Sequence, residues 1–179
     1  MRGSQKQKFD SEDPNILAAY QAETNGEYTE AINHYKKALK ENPDYGIVYK
    51  HMGNIYYRLG MLKEAVENLE AAVEKLPDFP TAWYELGLAY YRQARIRDGI
   101  ECMDKVLEID DDFLMANYWK GMLSYHRGDY VTAHEQYSYV TKKAPDFNIA
   151  FFHLGVVNLR MGYYEESVDC FSKLIEKNP

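Results

Sequence analysis

The feature that most constrains this chain is a spacing. Trp83-Tyr84-Glu85-Leu86-Gly87-Leu88-Ala89-Tyr90 has a weaker copy 34 residues upstream, Tyr49-Lys50-His51-Met52-Gly53-Asn54-Ile55-Tyr56, and its glycine returns at Gly121 and Gly155. A period of this length means small units that cannot bury their apolar faces alone and stack to share a core. Arrays of this kind offer an extended surface to another protein more often than they carry an active site.

Gly53, Gly87, Gly121 and Gly155 define one repeat position, which Ala19 fills in the first unit. The units then run 12–45, 46–79, 80–113, 114–147 and 148–179. Residues 1–11 are expected to form a leader or flexible tail, whose Met1-Arg2-Gly3-Ser4 looks like a cloning leader in place of a missing native N-terminus. Further on in each unit comes a second small residue: Ala31, Ala65, Gly99, Ala133, Ser167. Large apolar residues follow at Tyr35, Leu69, Met103, Tyr137 and Phe171, then Ala38, Ala72, Val106, Val140 and Leu174.

Apolar residues three and four apart make one stripe on a helix, and two such stripes occur per unit. Gly26, Gly60, Gly128 and Gly162 fall between the stripes, where a left-handed residue ends the first helix. Pro43, Pro77, Pro145 and Pro179 close their units, because proline cannot continue the hydrogen-bond ladder. The small residues let paired helices approach closely. The expected fold is all-α: a solenoid of five stacked helical hairpins of 34 residues.

The balance of 28 acidic against 21 basic residues gives a net charge of −7. It argues against a nucleic-acid partner, which needs a basic face to displace counterions. No apolar run approaches the roughly 20 residues that span a bilayer, so no membrane insertion is expected. Cys102 and Cys170 stand two units apart, too far for a disulfide, and two free thiols fit a cytoplasmic setting. No phosphate loop, His-Glu-x-x-His or nucleophile elbow is present, so no catalytic residue, cofactor or metal is assigned. His34, His51, His126, His134 and His153 are scattered and read as polar surface residues; His126 and His153 lie at positions that adjacent units could bring together.

Over residues 12–179, repeat length, small residues, aromatics and closing prolines together resemble the tetratricopeptide repeat (TPR) family. The third unit departs most, with Ala94 for the turn glycine, Asp111 for the proline and Gly99 inside its second helix; the fourth has Asn117 and Lys120 in its first helix. The resemblance implies a right-handed solenoid and a concave groove lined by the first helices. Its lining would include Lys50, Asn54, Tyr57 and Arg58, then Tyr84, Leu88, Tyr91 and Arg92. It would continue through Tyr118, Trp119, Met122, Tyr125 and His126 to Phe152, His153, Val156, Leu159 and Arg160. Two ladders run through it: Tyr57, Tyr91, Tyr125, and Arg58, Arg92, His126, Arg160. Tyrosine followed by a basic residue is common at this place in the family and serves packing as readily as binding.

Some TPR domains grip a C-terminal carboxylate with a Lys/Asn pair, then Asn, then Lys and Arg. Lys50 and Asn54 match the opening pair, but Glu85 replaces the next Asn, and Met115 and Trp119 replace the last two. That clamp is incomplete. The expectation is a protein-interaction module, an adaptor, scaffold or chaperone-like binder. It would take an extended or helical peptide with apolar anchors and some acidic character. Val168 and Ile175 match the pairs Ile32/Leu39, Val66/Val73 and Ile100/Leu107, which should pack against a following unit. The competing expectation is therefore an oligomerisation or assembly segment that self-associates through this C-terminal face.

Overall fold

The apolar stripes wind into helices. The structure, a computed structural model describing residues 13–177, contains ten α-helices and no strand among the described residues. The leader 1–11 and Pro179 lie outside that range. By contacts the chain divides into two compact units, Met1–Leu76 and Pro77–Pro179.

The first unit holds α1 (Pro14–Thr24), α2 (Tyr28–Glu41), α3 (Gly46–Arg58) and α4 (Leu62–Lys75). Asp13 caps α1 by accepting from the Asn15 backbone N–H at 2.8 Å, and Pro14 occupies the first turn, where its missing N–H costs nothing. Helices α1 and α2 pair, as do α3 and α4, and α2 packs on α3. The shared core includes Ile16, Ala19, Ala31, Tyr35, Val48 and Ile55. Ala31, Ile32, Tyr35 and Ala38 are the buried stripe of α2, at the spacing the sequence shows.

The second unit holds α5 (Pro80–Arg92), α6 (Ile96–Ile109), α7 (Leu114–Arg127), α8 (Tyr130–Lys143), α9 (Asn148–Met161) and α10 (Tyr164–Lys177). They pair as α5/α6, α7/α8 and α9/α10; α6 packs on α7 and α8 on α9, while α7 also touches α9. Asp129 caps α8 through a bond from the Thr132 N–H at 3.1 Å. That bond and Arg127 outweigh the small burial effect and hold the Asp129 carboxyl below its usual range.

The small residues sit at close helix contacts. A Cβ on Gly87 would stand 2.5 Å from Met103 Cε, 3.1 Å from Cys102 Cβ and 3.3 Å from the Gly99 carbonyl oxygen. Gly99, which costs α6 about 1 kcal/mol of intrinsic helix preference, has a packing reason. Its Cβ would meet the Leu123 methyls at 3.2 and 3.3 Å. The other departures are absorbed too. Buried Asn117 returns a bond to the Phe113 carbonyl at 3.3 Å, and Lys120 pairs with Asp104 at 2.7 Å. Ala94 adopts the left-handed turn at φ +60° that glycines supply in the other four hairpins. No described helix is long and apolar enough to cross a membrane. Both cysteines are free and buried.

Candidate functional site

In the second unit the first helices of successive hairpins, α7 and α9, lie side by side. Their predicted lining residues separate into three kinds. Tyr118 is a core residue, 7% exposed, and its ring meets Trp119, Tyr137, Phe147 and His153 at centroid distances of 5.2–5.9 Å. It supports the face without being open to solvent. Trp119, Met122 and Tyr125 are partly buried against that core, Trp119 also against the core between α6 and α7. Tyr84, Leu88 and Tyr91 pack against the latter from α5. Phe152 and Leu159 are the open apolar positions, at 47% and 53% exposure; His153 and Val156 between them are half-buried.

Within the second unit the two ladders interact. Tyr91 Oη lies 3.2 Å from His126 Nε2, and the Tyr125 hydroxyl acts on Arg160, holding its guanidinium protonated still more firmly. Tyr91 and Tyr125 thus each meet the basic residue of the next hairpin. The arginines Arg92 and Arg160 remain exposed. In the first unit, Lys50, Asn54 and Tyr57 are half-buried and Arg58 is exposed, with Arg58 donating to Tyr28 Oη at 3.4 Å.

Two of the histidines are not surface residues. In the first unit His51 Nδ1 lies 3.0 Å from Glu23 Oε2, and His51 Nε2 lies 3.0 Å from Tyr20 Oη. Tyr35 donates to the same Glu23 oxygen at 2.8 Å. Both His51 ring nitrogens thus have a partner, Glu23 at Nδ1 and the Tyr20 hydroxyl at Nε2. Burial pushes the Glu23 carboxyl up, but the bonds from His51 and Tyr35, with the charges of His51 and Arg58, outweigh it and leave the group below its usual range. Burial, then the bond to Glu23, drives the Tyr35 hydroxyl well above its usual value.

The second unit has a counterpart. Tyr137 and His153 stand three 34-residue periods beyond Tyr35 and His51, and their rings stack at 5.4 Å and 16°. Where Glu23 would recur there is Tyr125. The Tyr137 hydroxyl is buried with no hydrogen-bond partner, in a side chain 1% exposed. Burial, then the charge of His126, lowers the proton affinity of His153. Among the described residues, no three His, Cys, Asp or Glu side chains gather where a metal could be held.

Sequence reasoning overlooked the Glu23–Tyr35–His51 network. A signal existed: glutamate in the first unit at the position that is tyrosine in the next three. It also overlooked a cavity of about 440 Å³ between α5 and α6, lined by Trp83, Leu86, Tyr90 and Cys102 with several acids. Those acids include Asp98, Asp104 and Glu108, paired with Arg95, Lys120 and Lys105. On α10, Val168 and Ile175 are 65% and 69% exposed.

Comparison with known proteins agrees with this architecture. Family models described as TPR repeat match residues 24–60 and 53–93, and models described as tetratricopeptide repeat match 80–113 and 150–179. No functionally curated protein matches the chain. Among solved structures, one of MamA is 26% identical, covering 89% of this chain and 93% of that one, at a TM-score of 0.85. YrrB, described as a TPR protein with an unusual peptide-binding site, is 24% identical over 93% of this chain and 86% of that one, at a TM-score of 0.84. A MamA fragment from Desulfovibrio magneticus RS-1 is 17% identical over 90% and 92%, at a TM-score of 0.85. The matched repeats, the ten paired helices and the small residues at their contacts make this chain a member of the tetratricopeptide repeat family.

Proposed function

We propose that the chain is a non-catalytic protein-interaction module, of adaptor, scaffold or chaperone-like type. It takes an extended or helical peptide on the face built by the first helices of its hairpins. The observation that carries this reading is the step from packed to open apolar surface along α7 and α9. Trp119, Met122 and Val156 are half-buried there, beside exposed Phe152 and Leu159. Aromatic and methionine side chains make adaptable anchoring surface at little entropic cost. Exposed Arg92 and Arg160 give that face cations in a chain of net charge −7, which suits a partner with apolar anchors and some acidic groups. Two buried free thiols fit a cytoplasmic setting.

A second reading rests on α10. Val168 and Ile175 occupy positions whose equivalents Val66 and Val73 are buried. Their exposure favours association through this face, in an assembly role. One experiment separates the two. Partners recovered by wild type are compared with those of Phe152→Ala and of Val168→Lys/Ile175→Glu, and a recovered partner is titrated against all three. Loss of a central aromatic anchor costs about 2 kcal/mol or more at an interface, roughly 30-fold in affinity. Phe152 is the better probe than Trp119, because Trp119 also braces two cores. Loss only with the α10 variant, with Phe152→Ala binding normally, puts the assembly reading in place of the groove.

A further inference from the structure

The buried Tyr137 hydroxyl has no partner among the described residues of the fold. Its repeat equivalent, Tyr35, donates to Glu23 at 2.8 Å, and the stacked histidine beside it shares that carboxylate at 3.0 Å. At α7–α9 the tyrosine and its stacked histidine are retained, but no described carboxylate bonds either one. A buried hydroxyl without a partner costs about 1–3 kcal/mol. The cation is retained as well: Arg58, whose charge acts on Glu23, recurs as Arg160. Among the described residues Arg160 has Tyr125 for a partner and no acid.

Resting on the groove reading, we propose that the Tyr137–His153 pair of α8 and α9 receives a carboxylate from the bound peptide, in the role Glu23 plays for Tyr35 and His51. Tyr137 Oη–H and a ring N–H of His153 are the donors, and Arg160 supplies the long-range positive charge. Trp119, Met122 and Tyr125 pack over this core while staying partly exposed. Side-chain rotation at Met122 or Tyr125 gives access without moving a helix. The neighbouring exposed Phe152, in ring contact with His153 at 5.4 Å, places an apolar contact next to the carboxylate site.

The test uses the full chain and three capped probes: acetyl-Leu-Glu-Leu-amide, acetyl-Leu-Gln-Leu-amide and acetyl-Leu-Gln-Leu with a free C-terminus. Ring signals of Tyr137, His153, Phe152 and Trp119 are followed by NMR during titration. A carboxylate probe should move Tyr137 and His153, and the neutral amide should not. Response to the first probe alone identifies a side-chain carboxylate, to the third alone a terminal one, and to both the shared chemistry. Tyr137→Phe should reduce the preference for carboxylate over amide roughly 10-fold or more. Tyr125→Glu should erase it and raise the melting temperature by installing the internal acid, whereas Tyr125→Gln should do neither. If the neutral amide moves Tyr137 and His153 as far as the acids do, the carboxylate site is overturned while the groove stands. If no probe moves them, the carboxylate site is overturned too, and the groove is judged by the Phe152→Ala titration.

Discussion

The first and fourth hairpins share a backbone plan and differ in the residues around a tyrosine–histidine pair, with Tyr125 for Glu23 and Met122 for Tyr20. At the first, Tyr35, His51 and Glu23 satisfy one another. At the fourth, Tyr137 and His153 keep the stacked arrangement, but Tyr125 stands where the acid would be, and the tyrosine hydroxyl is left alone in the core. The periodic residues set the packing in both. A departure from the period decides whether the polar pair is closed internally or left able to answer a ligand. A closed network rigidifies; a half-satisfied one is costly unless something completes it.

The largest effect expected is at the closed site. Glu23→Leu leaves Tyr35 and His51 buried without their acceptor and should cost about 2–4 kcal/mol. Tyr125→Leu loses half-buried packing and an exposed polar contact to Arg160 and should cost about 1 kcal/mol. Urea denaturation of both variants checks this, and equal losses would break the comparison.

Acid sharpens it next. The Glu23 carboxyl is held below its unfolded value, so on acidification the unfolded chain takes up the proton first. The contribution of Glu23 is fully present above the ordinary carboxylate range and is lost as pH falls through its native value. A pH series of melting curves should show wild type losing its advantage over Glu23→Gln between pH 5 and the acid limit. A constant difference across that range would remove the ionised carboxylate from the account.

How much of this was legible in the sequence differs by level. The period placed the helices: α3, α5, α7 and α9 begin at Gly46, Pro80, Leu114 and Asn148, and the turn glycines fall where the left-handed residues are. Burial of the stripes followed, because spacing of three and four residues leaves little choice of face. The site was less legible. Tyr118 and Phe152 look alike as groove aromatics, yet one is core and the other open. Which side of the stripe edge each occupies depends on the helix packed next to it. The histidines read as polar surface because a lone histidine gives no hint of a partner 28 residues away.

Two smaller effects test finer points. Ala19 in the first hairpin corresponds to Gly121 in the fourth, where an added Cβ would stand 3.1 Å from the Tyr137 ring. Gly121→Ala gains about 1 kcal/mol of helix preference and should lose much of it by displacing that ring. The net change should stay within about 1 kcal/mol, with altered Tyr137 ring signals by NMR. An undisturbed ring would contradict the contact. Smallest is Ala94→Gly, which relieves a left-handed alanine at φ +60° and should stabilise by about 0.5–1 kcal/mol. A loss in thermal melting would mean that the Ala94 methyl contributes packing.

The most direct measurement of the central contrast is the pair Tyr35→Phe and Tyr137→Phe, each removing one hydroxyl oxygen, compared by equilibrium urea denaturation at neutral pH. The first loses a bond to a charged acceptor and should cost about 1.5–3 kcal/mol, while the second loses no partner and should leave stability unchanged or raise it by up to about 1 kcal/mol. Similar losses for the two would show that the Tyr137 hydroxyl is already satisfied in the free protein and would contradict the account.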